Sequence, residues 1–462
     1  MSWYKNAHAL GLRIFSATAV MLGAIPVVSG QEEPDLVTPP ANILLSNSNS
    51  VPLGPYAGLE GSAYVARAGD PSAAWLNPAG LSRAQATELS GSAGVFQLTT
   101  VSPSTLPESG GSVDRVPSLV GFMVAHLFGG NWTAGLAVAT VSSWRQSTDS
   151  EIVVDHGGVR ERFGYSADSR YEQFVGAGSV GFVSGKWRAG GGLAFVQTSV
   201  QKDEVVSDRL VDSTRLRSIL IDSRASGSAF HLRPLFGVQY DASPHVQLGV
   251  VVRTPAIRLF SSGSYSAEGL AALEGSTQGA SFLDSSARFS EHLPFEVRGG
   301  VAYVAPRFEL EVDFQGQTAI SSYSMLSSDQ AVITYKSGSG TAPVIETEPF
   351  QGFNSHSRAI GNVSVGGHVV LTSSGAWRLH FGAETDISPV GTDEEVFTKV
   401  NLYGWTAGVS GTKGRFQFSV GLNDRFGSSD DIFVRNLGNG EPVQSGIHVR
   451  NIGIIYAVNY KF

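Results

Sequence analysis

The chain has 462 residues, of which 42% are hydrophobic and 16% charged, with 55 glycines, no cysteine and a formal net charge of −8. The lack of thiols excludes disulfides and thiol catalysis, and the acidic balance excludes the basic face that a nucleic-acid partner requires. Mean hydropathy is only +0.03, so apolar residues are interleaved with polar ones, a pattern that favours strands.

Residues 1–30 read as a secretory signal peptide. Lys5 and Arg13 lead into an apolar stretch from Ile14 to Val28, followed by the small residues of Val28-Ser29-Gly30, with cleavage expected near Gly30. About 15 apolar residues fall short of the roughly 20 that span a membrane. Residues 31–86 lack sustained alternation and carry Pro39-Pro40 and the Asn47 to Asn49 stretch, which argues for irregular backbone. At membrane depth such backbone is tolerated only inside protein or a wet cavity, so a lumenal hatch is expected here.

Period-two alternation dominates from residue 87 onward. Strands are expected near 87–98, 117–128, 131–143, 169–184, 186–200, 229–241, 245–260, 286–304, 307–320, 356–371, 375–388, 398–410, 414–426 and 447–462. In the last of these, Ile452, Ile454, Tyr456, Val458, Tyr460 and Phe462 share one face. Phe308, Leu310, Val312 and Phe314 alternate with Glu309, Glu311, Asp313 and Gln315. Charges and glycines share a face in strand after strand, which suits a polar lumen and a lipid-facing exterior. No run of 18 apolar residues follows the signal, so a membrane-embedded chain must close into a barrel. The expected fold is therefore all-β: a 14-stranded antiparallel transmembrane β-barrel over 87–462 with an N-terminal lumenal hatch over 31–86.

Tight turns such as Ser184-Gly185-Lys186 and Gly411-Thr412-Lys413 alternate with long polar segments near 99–116, 144–168, 201–228, 261–285, 321–355, 389–397 and 427–446. Short turns belong on the periplasmic side, which puts both termini there. Two long segments hold candidate amphipathic helices: Leu210, Val211, Leu216, Ile219 and Leu220 in the third, and Leu270, Leu273, Phe282 and Leu283 in the fourth. Apolar residues there would form a hydrophobic capture groove or would pack together to cap the barrel. Inward charges, among them Arg233, Arg253, Arg298, Glu309, Glu311, Asp313, His380 and Glu384, are expected to tie hatch to wall in compensating pairs, the other reading being a polar pathway. The acidic runs Asp393-Glu394-Glu395 and Asp430-Asp431 read as solvated loops. Gly176, Gly178 and Gly181 match a dinucleotide fingerprint, but alternation continues to Phe182 where a helix is required. With no nucleophile elbow or zinc-protease motif, no enzyme, cofactor or metal site is expected.

One stretch carries more specific information. Gly58, Gly61, Tyr64, Ala66 and Ala68 lead into Asp70-Pro71-Ser72-Ala73-Ala74-Trp75-Leu76-Asn77-Pro78-Ala79-Gly80-Leu81, and Leu293-Pro294-Phe295 precedes Arg298-Gly299-Gly300-Val301-Ala302-Tyr303. This resembles the outer-membrane long-chain fatty acid and hydrocarbon transporter family (FadL/TodX). The resemblance implies passive transport of a hydrophobic small molecule, a fatty acid or hydrocarbon, captured by outer loops and released sideways past the hatch. It implies a gate at Asp70, Asn77, Pro78, Ala79 and Gly80, with a wall opening near the Asn-Pro-Ala turn. Family members bind a carboxylate with basic loop residues; no motif assigns those here, and Arg215 and Arg217 are only guesses. Tyr460 and the terminal Phe462 resemble the signal read by the barrel-assembly machinery. The other expected partners are outer-membrane lipid and lipopolysaccharide, and the chain is expected to be a monomer. An alternative is an accessory or shuttle barrel of the same fold in protein export to the cell surface. A third, an open porin, conflicts with the hatch.

Overall fold

The computed structural model describes residues 44–47, 53–84, 86–103, 118–127, 131–156, 159–211, 216–273, 276–338, 342–372, 374–391, 396–435 and 442–462. The signal stretch, Arg215 and Asp393-Glu394-Glu395 lie outside them.

The strands are β1 (Glu88–Pro103), β2 (Ser118–Leu127), β3 (Trp132–His156), β4 (Val159–Ser184), β5 (Trp187–Val211), β6 (Leu216–Asp241) and β7 (Val246–Arg253). Next come β8 (Ile257–Leu273), β9 (Ser276–Asp284), β10 (Arg288–Phe289), β11 (Glu296–Ala305), β12 (Phe308–Gln317), β13 (Ile320–Ser327) and β14 (Ala331–Gly338). The last are β15 (Val344–Pro349), β16 (Phe353–Ser357), β17 (Ile360–Val370), β18 (Trp377–Asp386), β19 (Asn401–Lys413), β20 (Phe416–Arg435) and β21 (Pro442–Lys461). Strands β1 to β7, β11, β12 and β17 to β21 pair antiparallel in succession, and β21 pairs back onto β1, so fourteen wall strands close a ring. A closed ring leaves no unpaired edge, the condition for strands in lipid.

The burial pattern is inverted relative to a soluble protein. On β12, Glu311, Asp313 and Gln315 are buried while Phe314 is 60% exposed. On β20, Gln417, Ser419, Asn423 and Arg425 point inward while Phe416, Phe418, Val420 and Leu422 point out. The last strand keeps the expected alternation, with Tyr456 and Val458 outside and Ala457 and Asn459 inside. Aromatic residues gather at the rim of short turns: Trp187 lies 4.3 Å from Tyr240, Trp132 4.8 Å from Phe182, and Phe416 4.8 Å from Tyr460, centroid to centroid. Such a girdle marks a membrane–water interface. Phe462 sits at this rim, its amide donating to Thr87 O at 2.9 Å.

Several expected boundaries move. The polar segments at 144–168 and 201–228 are strand, not loop: β3 and β4 pair as far as His156↔Val159, and β5 and β6 as far as Val211↔Leu216. The β19–β20 turn falls at Gly414, with φ +60°, rather than at Gly411. The candidate helices are absent. Leu216, Ile219 and Leu220 lie on β6, Leu270 and Leu273 on β8, and Phe282 and Leu283 on β9. Leu220 pairs with Leu270, Ala267 with Phe282 and Ser266 with Leu283. Alternation splits the set: Ile219 and Phe282 join a buried cluster with Ile221, Ala271 and Val332, whereas Leu220, Leu270 and Leu283 face outward. Apolar residues three or four apart fit a helix, but cross-strand partners decide such short runs. The expected strand 286–304 is interrupted at 290–295, where Pro294 lacks the donor that a ladder needs.

Candidate functional site

The segment expected to form a hatch, residues 53–84, lies against inward side chains of the wall such as Glu311, Asp313 and Thr406. Its small residues leave the backbone free to approach the wall, and its only helical pieces are a turn at Ala57–Leu59, the short helix α1 (Ala73–Leu76) and a tight turn at Pro78–Arg83. Asn77 is fully buried and works in two directions: its Oδ1 accepts from Ala79 N at 3.2 Å, capping the turn, and its Nδ2 donates to Val65 O at 2.9 Å. Pro78 occupies the first position of that turn, where its missing donor costs nothing. A Cβ on Gly237 would sit 1.9 Å from Asn77 Oδ1, and one on Gly190 2.4 Å from Pro78 C. The Asn77-Pro78-Ala79 turn is therefore seated against the inner wall of β5 and β6. Behind it, β4, β5 and β6 pair with continuous register.

Wall carboxylates receive hatch amides. Glu311 accepts from Ala66 N at 2.5 Å and Arg67 N at 3.1 Å, and Asp313 from Tyr64 N at 3.0 Å and Val65 N at 3.2 Å. Arg67 is buried and pairs with Glu60 at 2.6 Å, Glu311 at 2.8 Å and Glu309 at 3.1 Å. Burial works against the Glu60 charge, but Arg67, with hydrogen bonds from His368 and His380, outweighs it and holds the carboxyl well below the usual range. Asp70 accepts from Ser72 N at 2.8 Å; its burial pushes it up to about 6, with the Ser72 and Tyr64 hydrogen bonds only partly opposing.

On the far side of the hatch from the short turns lies a cavity of about 160 Å³. Its floor is Leu53, Trp75 and Leu76, part of an apolar layer shared with Ala137, Val175, Val196, Leu235 and Leu293. Its roof includes Tyr171, Tyr323 and Phe397, part of a second apolar layer with Trp144, Phe289, Met325, Leu326 and Ile447. The three-stranded sheet β10-β13-β16 contributes Phe289 and Leu326 to that roof.

Polar groups line the waist between the layers. Arg253 pairs with Glu296, donates to Trp75 O at 2.9 Å and lies 4.2 Å above the Trp75 ring. Arg233 lies 3.6 Å from Glu296 and donates to Pro294 O at 2.7 Å, and Arg298 donates to Gln315 Oε1 at 2.6 Å. Three guanidiniums thus surround the single carboxylate of Glu296. Glu291, in the 290–295 segment, accepts from Tyr171 Oη at 3.0 Å, and burial raises its carboxyl to about 7. A β-bulge at Val141, between Thr140 and Ser142 of β3, touches both the cavity and the hatch layer.

Of the residues singled out in the sequence, Asp70, Asn77, Pro78, Ala79 and Gly80 come together on the hatch, Arg233, Arg253 and Arg298 at the cavity, and Glu309, Glu311 and Asp313 between hatch and wall. Tyr460 and Phe462 lie at the rim. Arg217 is on β6, in the outer hairpin with Leu216. Glu60, Arg67, Glu291, Glu296 and His368 escaped sequence reasoning. A signal did exist for the first two: they are the only charges in the otherwise small and apolar run from Ala57 to Gly69.

No family model matches the sequence, and no curated protein does. Solved structures do. The Ralstonia pickettii toluene transporter TbuX aligns over 90% of this chain and 99% of its own, at 14% identity and a TM-score of 0.56. A Pseudomonas aeruginosa FadL homologue aligns over 91% and 100% at 12% identity and 0.58, and the Pseudomonas putida toluene transporter TodX over 90% and 99% at 13% identity and 0.58. At such identities the likeness is one of fold.

Proposed function

We propose that this chain, which shares the fold of FadL-type outer-membrane barrels, is a passive outer-membrane channel for hydrophobic molecules. The observation that carries the reading is a part-open cavity in the lumen that is bordered by two apolar layers and has charged groups between them. A site of that kind recognises an apolar body and orients it with a few polar groups. Trp75, Leu76 and Leu293 offer the apolar contact. The excess of Arg233, Arg253 and Arg298 over Glu296 complements an acidic head group, so a fatty acid fits the polarity better than a bare hydrocarbon, which is the second candidate. The nearby solved structures named as toluene transporters support the general class of cargo.

Passage past the hatch is proposed to run sideways at the Val141 bulge rather than behind Asn77. The supporting observation is that the ladder slips by one residue there, and a bulge bends its strand and disrupts local pairing. The short-turn rim, with Phe462, then faces the periplasm. Native mass spectrometry of the purified barrel tests the cargo: a retained fatty acid or added oleate is expected, and failure to retain or bind any fatty acid or hydrocarbon contradicts the reading. Deleting Val141 restores an even ladder; uptake should fall sharply in a barrel that still folds, and undiminished uptake would place the exit elsewhere.

A further inference from the structure

We propose that Glu60, His368 and His380 form a binding site for one divalent first-row metal ion, of the Zn²⁺ type, that fastens the hatch to the wall. The site arises from two adjacent levels of the β17–β18 pair. At one level Gly366 faces Gly382, and at the next His368 faces His380. The glycine pair makes room for hatch backbone: a Cβ on Gly366 would lie 1.9 Å from Glu60 O, and one on Gly382 2.2 Å from Gly61 N. Seated there, Glu60 directs Oε1 of its carboxylate between the two imidazoles. Its Oε1 is 2.9 Å from His368 Nδ1 and 2.8 Å from His380 Nδ1, and the three ligand atoms lie within 4.8 Å of one another.

Two nitrogens and one oxygen are a donor set that suits Zn²⁺, whose bonds of about 2.0–2.1 Å place tetrahedral ligand atoms roughly 3.3 Å apart. The two oxygen–nitrogen separations, 2.9 and 2.8 Å, would widen by about 0.4–0.5 Å, and the two nitrogens, within 4.8 Å of each other, would adjust with them. In the absence of an ion, both Nδ1 atoms donate to Glu60; binding shifts each neutral ring to its other tautomer. The Nε2 atoms then need acceptors, as metal-bound histidines generally have. His380 Nε2 has one in Ser410 Oγ at 2.8 Å, while Glu309 Oε1 lies 4.0 Å from His368 Nε2, beyond direct hydrogen-bond reach. Arg67 holds Glu60 by the opposite oxygen, Oε2, at 2.6 Å, leaving Oε1 to the ion.

Charge points the same way. Glu60, Glu309 and Glu311 surround Arg67, and Arg378 lies close enough to act on His380, so three negative charges against two positive leave a net negative charge at neutral histidines, which favours a cation. Glu309 is the more exposed member, with 30% of its side-chain surface accessible, and marks the path by which the ion reaches the site. The ion would hold hatch and wall together at a point where sequence distance exceeds 300 residues.

The test uses the full-length barrel in detergent without a histidine tag, stripped with chelator and returned to Zn²⁺ or Co²⁺. One saturable equivalent per chain is expected by calorimetry, with a tetrahedral Co²⁺ absorption band. His368→Asn and His380→Asn, which keep a hydrogen-bond donor, should each weaken binding at least tenfold. Absence of a saturable equivalent in the folded wild type overturns the proposal, as does undiminished binding in both variants. Should the variants misfold, spin resonance of Cu²⁺ in the wild type decides: hyperfine coupling to two imidazole nitrogens supports the site, and its absence overturns it.

Discussion

Replacing Gly237 with alanine tests how the hatch is held. The new methyl would lie 1.9 Å from Asn77 Oδ1 and 3.1 Å from Pro78 Cδ, distances that no rotamer of alanine can relieve. Either the Asn77 side chain withdraws, losing its bonds to Ala79 N and Val65 O, or the whole turn lifts from β6. Overpacking of this kind costs about 1–3 kcal/mol and a lost cap about 1 kcal/mol. The hatch should therefore open about 30- to 1,000-fold more often, at roughly tenfold per 1.4 kcal/mol. Hydrogen exchange of amides in 64–81 reads this directly, alongside gel mobility of the unheated sample to confirm a closed barrel. Gly178→Ala is the control, because nothing lies within 4 Å of a Cβ there. Wild-type protection of the hatch in Gly237→Ala would refute the close seating of Asn77 on the wall.

Arg253→Met should lower stability by about 1.5–3 kcal/mol, because it removes a charged hydrogen bond to Glu296, which keeps Arg233 and Gln315 as partners, and the contacts to Trp75; an unchanged denaturation midpoint would contradict that role. Glu291, with its carboxyl raised to about 7, is neutral below that pH and charged above it. Affinity for an acid-headed ligand should therefore fall as pH rises from about 6 to 8, while affinity for toluene stays flat; Glu291→Gln should abolish the difference, and parallel pH profiles for the two ligands would exclude Glu291 from the site.

The wall was legible in the sequence because lipid and lumen impose opposite chemistry on alternate residues, as Phe314 beside Asp313 and Phe418 beside Ser419 illustrate. The upper hairpins were not. In the Ser- and Asp-rich stretches of β3 to β6 that chemical contrast fades, so they read as loops although cross-strand pairing extends them. Leu216, Ile219 and Leu220 suggested a helix for the same reason: three spaced apolar residues fit two periods, and only the partner strand chooses between them. The hatch motif located Asn77, but its neighbours came from far along the chain. Glu60 meets His368 and His380, and Trp75 meets Arg253, through contacts that leave no local trace. The roof of the cavity was equally hidden, since β10, β13 and β16 pair across intervening segments and no local pattern marks them as partners.

The central claim is that hydrophobic molecules cross the outer membrane through the lumen of this barrel. Its most direct test is uptake of labelled oleate and of labelled toluene by cells that lack their own such channels, with and without this chain in the outer membrane. Faster uptake of at least one compound, suppressed when Leu293→Trp fills the cavity, is the expected result. Equal uptake of both compounds with and without the chain would contradict it.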